Sequence, residues 1–135
     1  MKAIPKIQKY MSYVPKSIGH DQTVAQAADF MRKLHVRHLP VLKGGKIVGV
    51  LSDRDIKFIT SFKDVNPETL LVEEACTVDP FCTNPEAPLN EVVTEMANKK
   101  YGCVLIMDNA KLVGIFTEVD AYKALSELLE TRLHV

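Results

Sequence analysis

The spacing of apolar residues changes along the 135-residue chain, and each change marks an element. Val24, Ala27, Ala28, Met31 and Leu34 recur at i, i+3, i+4, i+7, the stripe of a helix with one buried face. Thr23, with Gln26 three residues on, is the capping box that starts it. Leu39-Pro40-Val41-Leu42 is a short apolar strand. Pro40 has no N–H to donate, so it belongs at an edge or where the ladder opens. Gly44-Gly45 signals a hairpin turn, and Lys46 to Leu51 forms the return strand. Asp53 to about Ser61 is a second helix with Ile56, Ile59 and Phe62 on one side. Before these, residues 1–10 are a lead-in with room for one helical turn, with Ile4 and Ile7 free to pack. Residues 11–22 are extended or looped around Pro15 and Gly19. Pro67 breaks the connector over 63–74.

The pattern then returns. A shift of 65 sets Pro15 on Pro80, Met31 on Met96, Lys46-Ile47-Val48-Gly49 on Lys111-Leu112-Val113-Gly114, and Asp55 on Asp120, without a gap over residues 10–59. Only six positions there are identical, but the apolar pattern and turn positions agree throughout. In the second copy, Ala75 to Ala87 is extended and a helix from about Leu89 to Asn98 buries Leu89, Val92, Val93 and Met96. Cys103 to Met107 is a strand, Asp108-Asn109 the turn, and Lys111 to Phe116 the return strand. The last helix runs from about Glu118 to Thr131. Its Tyr122, Leu125, Leu129 and Leu133 stripe exceeds what one repeat requires, so it is a packing face for the other repeat or another subunit. The fold class is therefore α+β, two strand–helix–strand–strand–helix units, residues 1–67 and 68–135. A unit of about 60 residues alone buries a marginal fraction of its surface. Packed about a pseudo-twofold axis, the two share a core and bring their corresponding turns toward a common cleft.

The candidate chemistry lies where the return strand meets the last helix of each copy. Gly49-Val50-Leu51-Ser52-Asp53-Arg54-Asp55 recurs as Gly114-Ile115-Phe116-Thr117-Glu118-Val119-Asp120. A helix start offers unpaired N–H groups and the positive end of the dipole, which favour a phosphate. The hydroxyl adds a hydrogen bond, and the aspartate one turn on can accept from two ribose hydroxyls. Ser52-x-x-Asp55 and Thr117-x-x-Asp120 also resemble capping boxes that only close their own helices. Both readings stand at this point.

Composition narrows the class. With 47% apolar residues the chain has a core and is not globally disordered. No apolar run approaches the roughly 18 residues of a membrane span, and Met1-Lys2-Ala3-Ile4-Pro5-Lys6 lacks the features of a signal peptide. Cys76, Cys82 and Cys103 make an odd set without a framework spacing, which points to reduced thiols in the cytoplasm. Net charge is zero, against general nucleic-acid binding. It divides unevenly: residues 1–67 carry 12 Lys/Arg and 5 Asp/Glu, residues 68–135 carry 5 and 12. Such a split suits an anion near the first half, or two copies paired head to tail, or is surface drift.

Val36-Arg37-His38-Leu39-Pro40-Val41, the Gly44-Gly45 turn, Gly49 to Ile56, and the second copy over Lys111 to Ala121 together resemble a tandem pair of CBS domains, a Bateman module. The resemblance covers roughly residues 8–130. It implies a ligand containing adenosine: AMP, ADP, ATP or S-adenosylmethionine, as a regulatory ligand and not a cofactor. It assigns Ser52 and Asp55 to one site and Thr117 and Asp120 to the other, with Arg37 and His38 beside Leu39 and Pro40 meeting phosphate. Adenine is held by the extended segment that opens the opposite repeat: Cys76, Asp79 and Phe81 for the first site, Val14 and Lys16 for the second. Tyr101-Gly102-Cys103-Val104-Leu105 has neither the basic pair nor the proline. The second site is therefore expected to be weaker, empty, or suited to an adenosyl group with little negative charge.

Other constellations are poorer. His35 and His38 span the break from helix to strand, which spoils a metal pair. The cysteines lack C-x-x-C spacing and an electropositive partner. No nucleophile elbow or raised-pKa carboxylate pair is present, so no catalytic residue is assigned. Tyr10 and Tyr13 are core or surface residues, or stack on a base. The leading expectation is a non-enzymatic regulatory module, a homodimer, signalling to a separate effector protein. The alternative is an interaction scaffold with vestigial sites. Nucleotide hydrolysis lacks a base and a metal cluster.

Overall fold

The structure is a computed structural model that describes residues 3–13 and 15–133. The chain divides into two compact units, Lys16–Pro80 and Phe81 onward together with the lead-in up to Pro15. They are named here the Ser52 unit and the Thr117 unit.

In the Ser52 unit, β2 (Ile18–Gly19) leads to α1 (Val24–Leu34), then β3 (His38–Lys43), β4 (Lys46–Ser52), α2 (Asp53–Thr60), α3 (Val72–Ala75) and β5 (Thr77–Val78). The sheet order is β2-β3-β4-β5, with β2 parallel to β3 and the other pairs antiparallel. The capping box on α1 forms as its sequence predicts: Thr23 Oγ1 accepts from Gln26 N at 3.1 Å and Gln26 Oε1 accepts from Thr23 N at 2.8 Å. Val24, Ala27 and Met31 face the core with Ile18, Leu39, Val41, Leu51, Ile56 and Val72.

The Thr117 unit repeats the plan. After a 3-10 turn (Ile7–Lys9) come β1 (Ser12–Tyr13), β6 (Cys82–Thr83), α4 (Leu89–Lys99), β7 (Cys103–Asp108), β8 (Lys111–Thr117) and α5 (Glu118–Arg132). The sheet order is β1-β8-β7-β6. The core holds Ile7, Met11, Leu89, Val92, Met96, Val104, Ile106, Phe116 and Ala124.

The compact units do not divide at 67/68, where the repeats do. The lead-in to each repeat packs on the other one, and the register explains why. Ile7 and Val72 are 65 apart and both fully buried, each in the core of the repeat it does not precede. Ser12 and Thr77, also 65 apart, follow them into the edge strands beside β8 and β4. A Cβ at Gly49 would stand 2.6 Å from the Thr77 carbonyl oxygen, and one at Gly114 would stand 3.0 Å from that of Ser12. The two glycines are the spaces into which the exchanged segments fit.

The exchange also removes the charge split. Lys16–Pro80 carries nine Lys/Arg and nine Asp/Glu, and the remaining residues carry eight of each. The acidic stretch Glu68, Glu73, Glu74 and Asp79 folds onto the basic first repeat, where Glu73 Oε2 meets His20 Nδ1 at 2.9 Å. The basic lead-in folds onto the acidic second repeat, where Lys6 meets Glu86 at 3.4 Å. Each unit is therefore neutral in net charge, and the opposite net charges of the two sequence halves do not carry over to the units.

Several local expectations are corrected. The connector over 63–74 ends in α3, hidden because four residues are too few to show a period. The second hairpin turns on Asn109-Ala110, at φ 50° and 65°, one residue later than Asp108-Asn109. Phe62 is exposed and packs edge-on against exposed Phe58, with ring centroids 5.3 Å apart. Along α5 it is Ala121, Ala124 and Leu128 that face the core, so the Tyr122, Leu125, Leu129 and Leu133 stripe points outward. Pro40 lies in an interior strand, fully buried. The β2–β3 ladder begins one residue past it, at Val41, whereas its counterpart Leu105 donates its N–H to Phe81 O at 2.9 Å. The missing donor opens the ladder there.

Candidate functional site

Both hydroxyl-to-aspartate turns are true helix caps. Ser52 Oγ accepts from Asp55 N at 2.9 Å and Asp55 Oδ2 accepts from Ser52 N at 3.0 Å. Thr117 Oγ1 accepts from Asp120 N at 3.4 Å, while Asp120 Oδ2 accepts from Thr117 N at 2.9 Å and from Thr117 Oγ1 at 3.2 Å. The residue before each strand closes a further donor: Asp53 N bonds Arg37 O at 2.8 Å and Glu118 N bonds Gly102 O at 3.2 Å. Three of the four N–H groups at each helix start are thus engaged, leaving those of Arg54 and Val119 without a partner among the described residues. The helix start contributes less to holding an anion than the sequence implies. Side chains must carry more.

Capping does not use up the carboxylates. Each spends Oδ2, and Oδ1 accepts no hydrogen bond from the described residues. Asp55 and Asp120 are half-buried, so neither carboxylate is sealed in a core. A carboxylate oxygen held in place by its capping partner is a prepared acceptor for a pair of hydroxyls.

The remaining expected site residues scatter. His38 lies directly across the ladder from Ser52, and Cys103 from Thr117, so those side chains share a face with the hydroxyls. Arg37 is exposed beside them and His38 half-buried. Leu39 and Pro40 are fully buried in the core, main chain included, so neither offers a ligand an exposed atom in this structure. Cys76 and Asp79 belong to the Ser52 unit; Asp79 takes a left-handed φ of 52° just past β5. Burial pushes the Cys76 thiol pKa up, as it does that of Cys82, which disfavours a thiolate nucleophile. Phe81 belongs to the Thr117 unit, stacked on Tyr101 with centroids 5.1 Å apart. Lys16 opens the Ser52 unit and is exposed. Val14 lies outside the described residues. Tyr10 packs against the core of the Thr117 unit, and the exposed Tyr13 donates its hydroxyl to Gln8 O at 2.9 Å. His35 is the left-handed cap of α1. No group of three metal-ligating side chains gathers among the described residues.

Thr77 was not expected. Its Oγ1 stands 3.5 Å from Asp55 Oδ2, so the exchanged strand touches the carboxylate. The signal was present: the position 65 residues earlier is Ser12, so both copies keep a hydroxyl there.

Comparison with known proteins agrees with this arrangement. The CBS domain matches twice, over residues 7–59 and 72–127. An inosine-5'-monophosphate dehydrogenase of Korarchaeum cryptofilum is 26% identical over 132 residues; the match takes in 97% of this chain and 26% of that protein, so the chain spans about a quarter of its length. A Vibrio cholerae structure bearing the name AcuB, for acetoin utilization, superposes with a TM-score of 0.83 at 26% identity, covering 96% of both chains. The CBS domain pair of protein MJ0100, solved with 5'-methylthioadenosine and S-adenosyl-L-methionine, superposes with a TM-score of 0.81 at 23% identity, covering 93% of this chain and 98% of that one, a likeness of fold. The chain belongs to the CBS domain family, as a tandem pair of the kind that serves as a regulatory ligand-binding module.

Proposed function

We propose that the chain senses an adenosine-containing molecule, AMP, ADP, ATP or S-adenosylmethionine, and passes that state to an effector protein without catalysing a reaction. The observation that carries this is the unspent Oδ1 of Asp55, fixed by the Ser52 cap on one side of the carboxylate, on a helix start whose Ser52 faces His38 across the ladder and whose Asp53 N–H donates to the Arg37 carbonyl. The carboxylate takes the ribose hydroxyls, and the basic pair takes phosphate. The family match supports an adenosyl ligand, and so does the MJ0100 pair. Binding transmits a signal only where the ligand prefers one conformation of the module. Thr77, in contact with Asp55, is the route by which an occupied site reaches the backbone of β5. The outward stripe of α5 and the Phe58–Phe62 pair at the end of α2 suit a homodimer, and the reduced thiols suit the cytoplasm.

A second reading has its own support. Because both hydroxyl-to-aspartate turns are complete caps, they are fully explained by helix stability, as an interaction scaffold requires. A thermal-shift screen separates the two. At about 100 times its Kd a ligand stabilises the native state by roughly 2.7 kcal/mol, so an adenosine compound raises the melting temperature while guanosine compounds do not. No shift with any adenosine compound leaves the scaffold.

A further inference from the structure

Each exchanged segment is fastened to its dock by the same three main-chain bonds. In the Ser52 unit, Val24 N donates to Leu70 O at 2.8 Å, Val72 N to Gln22 O at 2.7 Å and Glu73 N to His20 O at 3.0 Å. Shifted by 65, Leu89 N donates to Pro5 O at 2.9 Å, Ile7 N to Ala87 O at 2.8 Å and Gln8 N to Pro85 O at 3.1 Å in the Thr117 unit. The side chains at the third bond differ. His20 Nδ1 and Glu73 Oε2 stand 2.9 Å apart, whereas Pro85, which replaces His20, has no donor to offer Gln8. The His20–Glu73 side chains are 26% and 40% exposed, against 54% and 75% for Lys6–Glu86, the ion pair between lead-in and dock in the Thr117 unit. The more shielded pair keeps more of its strength in water. The copies also differ where the segment meets its aspartate. Four residues past Glu73, Thr77 Oγ1 stands 3.5 Å from Asp55 Oδ2, the oxygen that also accepts from Ser52 N. Ser12, its counterpart, makes no hydrogen bond to Asp120 among the described residues; Thr117 Oγ1 takes that place at 3.2 Å. The copy whose seam has the shielded side-chain clasp is the copy whose segment reaches the carboxylate. Between the two contacts lies one helical turn, Val72–Ala75, closed by Cys76 N to Val72 O at 3.0 Å. A hydrogen-bonded turn anchored by fully buried Val72 passes a shift at Glu73 on to Thr77.

Resting on the adenosyl reading above, we propose that His20 and Glu73 are positioning residues for the Ser52 site. Their pair sets how closely Thr77 stands to Asp55, and so how firmly the carboxylate is held for a ribose. They act through Thr77 and not on the ligand. Linkage makes the effect reciprocal. An occupied Ser52 site tightens the seam over residues 70–78, and the seam of the Thr117 unit does not respond to it.

The test joins calorimetry to amide hydrogen exchange on the full chain, with AMP as the probe. Glu73→Gln installs the residue type found at the matching position, Gln8. Thr77→Val removes the hydroxyl and keeps the shape. Each is expected to weaken AMP about threefold, the scale of a partly exposed charged pair. The double variant is expected to lose no more than Thr77→Val alone, because both act by one route. In the native protein, AMP is expected to slow exchange at the Val72 and Glu73 amides, which close the seam, and to leave the Ile7 and Gln8 amides unchanged. Urea midpoints show separately what each variant does to folding. A lower midpoint for Glu73→Gln with AMP affinity unchanged, losses that add to about ninefold, or slowed exchange in both seams refutes the positioning while the adenosyl reading survives. No heat from AMP with the native protein overturns both.

Discussion

Gly49→Ala tests why the exchanged segment lies where it does. Gly49 sits in β4 opposite Val78 of β5, buried and at an ordinary strand conformation. A Cβ there meets the Thr77 carbonyl oxygen at 2.6 Å and Cys76 Sγ at 2.8 Å. The oxygen belongs to the backbone, so the whole strand must retreat by most of an ångström to restore ordinary contact. Only two residue pairs join β4 to β5, so that retreat opens the ladder. It also separates Thr77 from Asp55. Overpacking of this kind costs about 1–3 kcal/mol, and the stiffer unfolded chain returns about 0.4–1 kcal/mol. The net loss is about 1–2 kcal/mol. At Gly114 the nearest atom is Met11 Sδ at 2.5 Å, the movable end of a side chain, and the backbone oxygen is farther, at 3.0 Å. Gly114→Ala therefore loses about half as much. In urea, followed by far-ultraviolet circular dichroism, the Gly49→Ala midpoint falls by about 0.5–1 M with the slope unchanged. A Gly49→Ala midpoint equal to that of the native protein, or a larger loss at Gly114, refutes the packing argument.

Other consequences follow from single residues. Ala110 and Lys100 hold left-handed φ values of 65° and 60°, so Ala110→Gly and Lys100→Gly each raise stability by up to about 1 kcal/mol in the same urea assay; a loss at either position contradicts this. Ser52→Ala removes a cap with a 2.9 Å bond and Thr117→Ala one with a 3.4 Å bond, so both destabilise by about 0.5–2 kcal/mol and Ser52→Ala more. On the proposal that the chain pairs through the outward face of α5, the native protein has the mass of a dimer by light scattering and Leu125→Glu that of a monomer, with a stability within about 0.5 kcal/mol of native; a native monomer, or an unchanged dimer mass in the variant, contradicts pairing through α5.

The parts of the fold that repeat were legible in the chain. The helix stripe from Val24, the two hairpins and the strand-to-helix turns each carry a period or turn residue strong enough to read alone. The exchange of lead-ins was not, because its evidence is long-range. Ile7 and Val72 differ from any other apolar residue only through the core they enter. The charge split was visible but misleading: dividing at the repeat boundary put the acidic 68–80 stretch with the wrong half. The outward stripe of α5 was identified, and its direction required coordinates, because a 15-residue helix with small residues on its inner side buries Ala124 in preference to Leu125. At the site, sequence placed the hydroxyls and aspartates and left capping and binding as alternatives. The structure shows capping to be complete and still to leave one oxygen per carboxylate, so the two roles are compatible. Thr77 was missed because only the fold brings it to Asp55.

The most direct test of the account is calorimetry of AMP against 2',3'-dideoxy-AMP, which lacks both ribose hydroxyls. AMP is predicted to bind the native chain, and the dideoxy compound to bind it at least about tenfold more weakly, because Asp55 Oδ1 then accepts nothing. Equal affinity for the two compounds, or no binding of AMP at all, contradicts the claim that the capped aspartate reads a ribose.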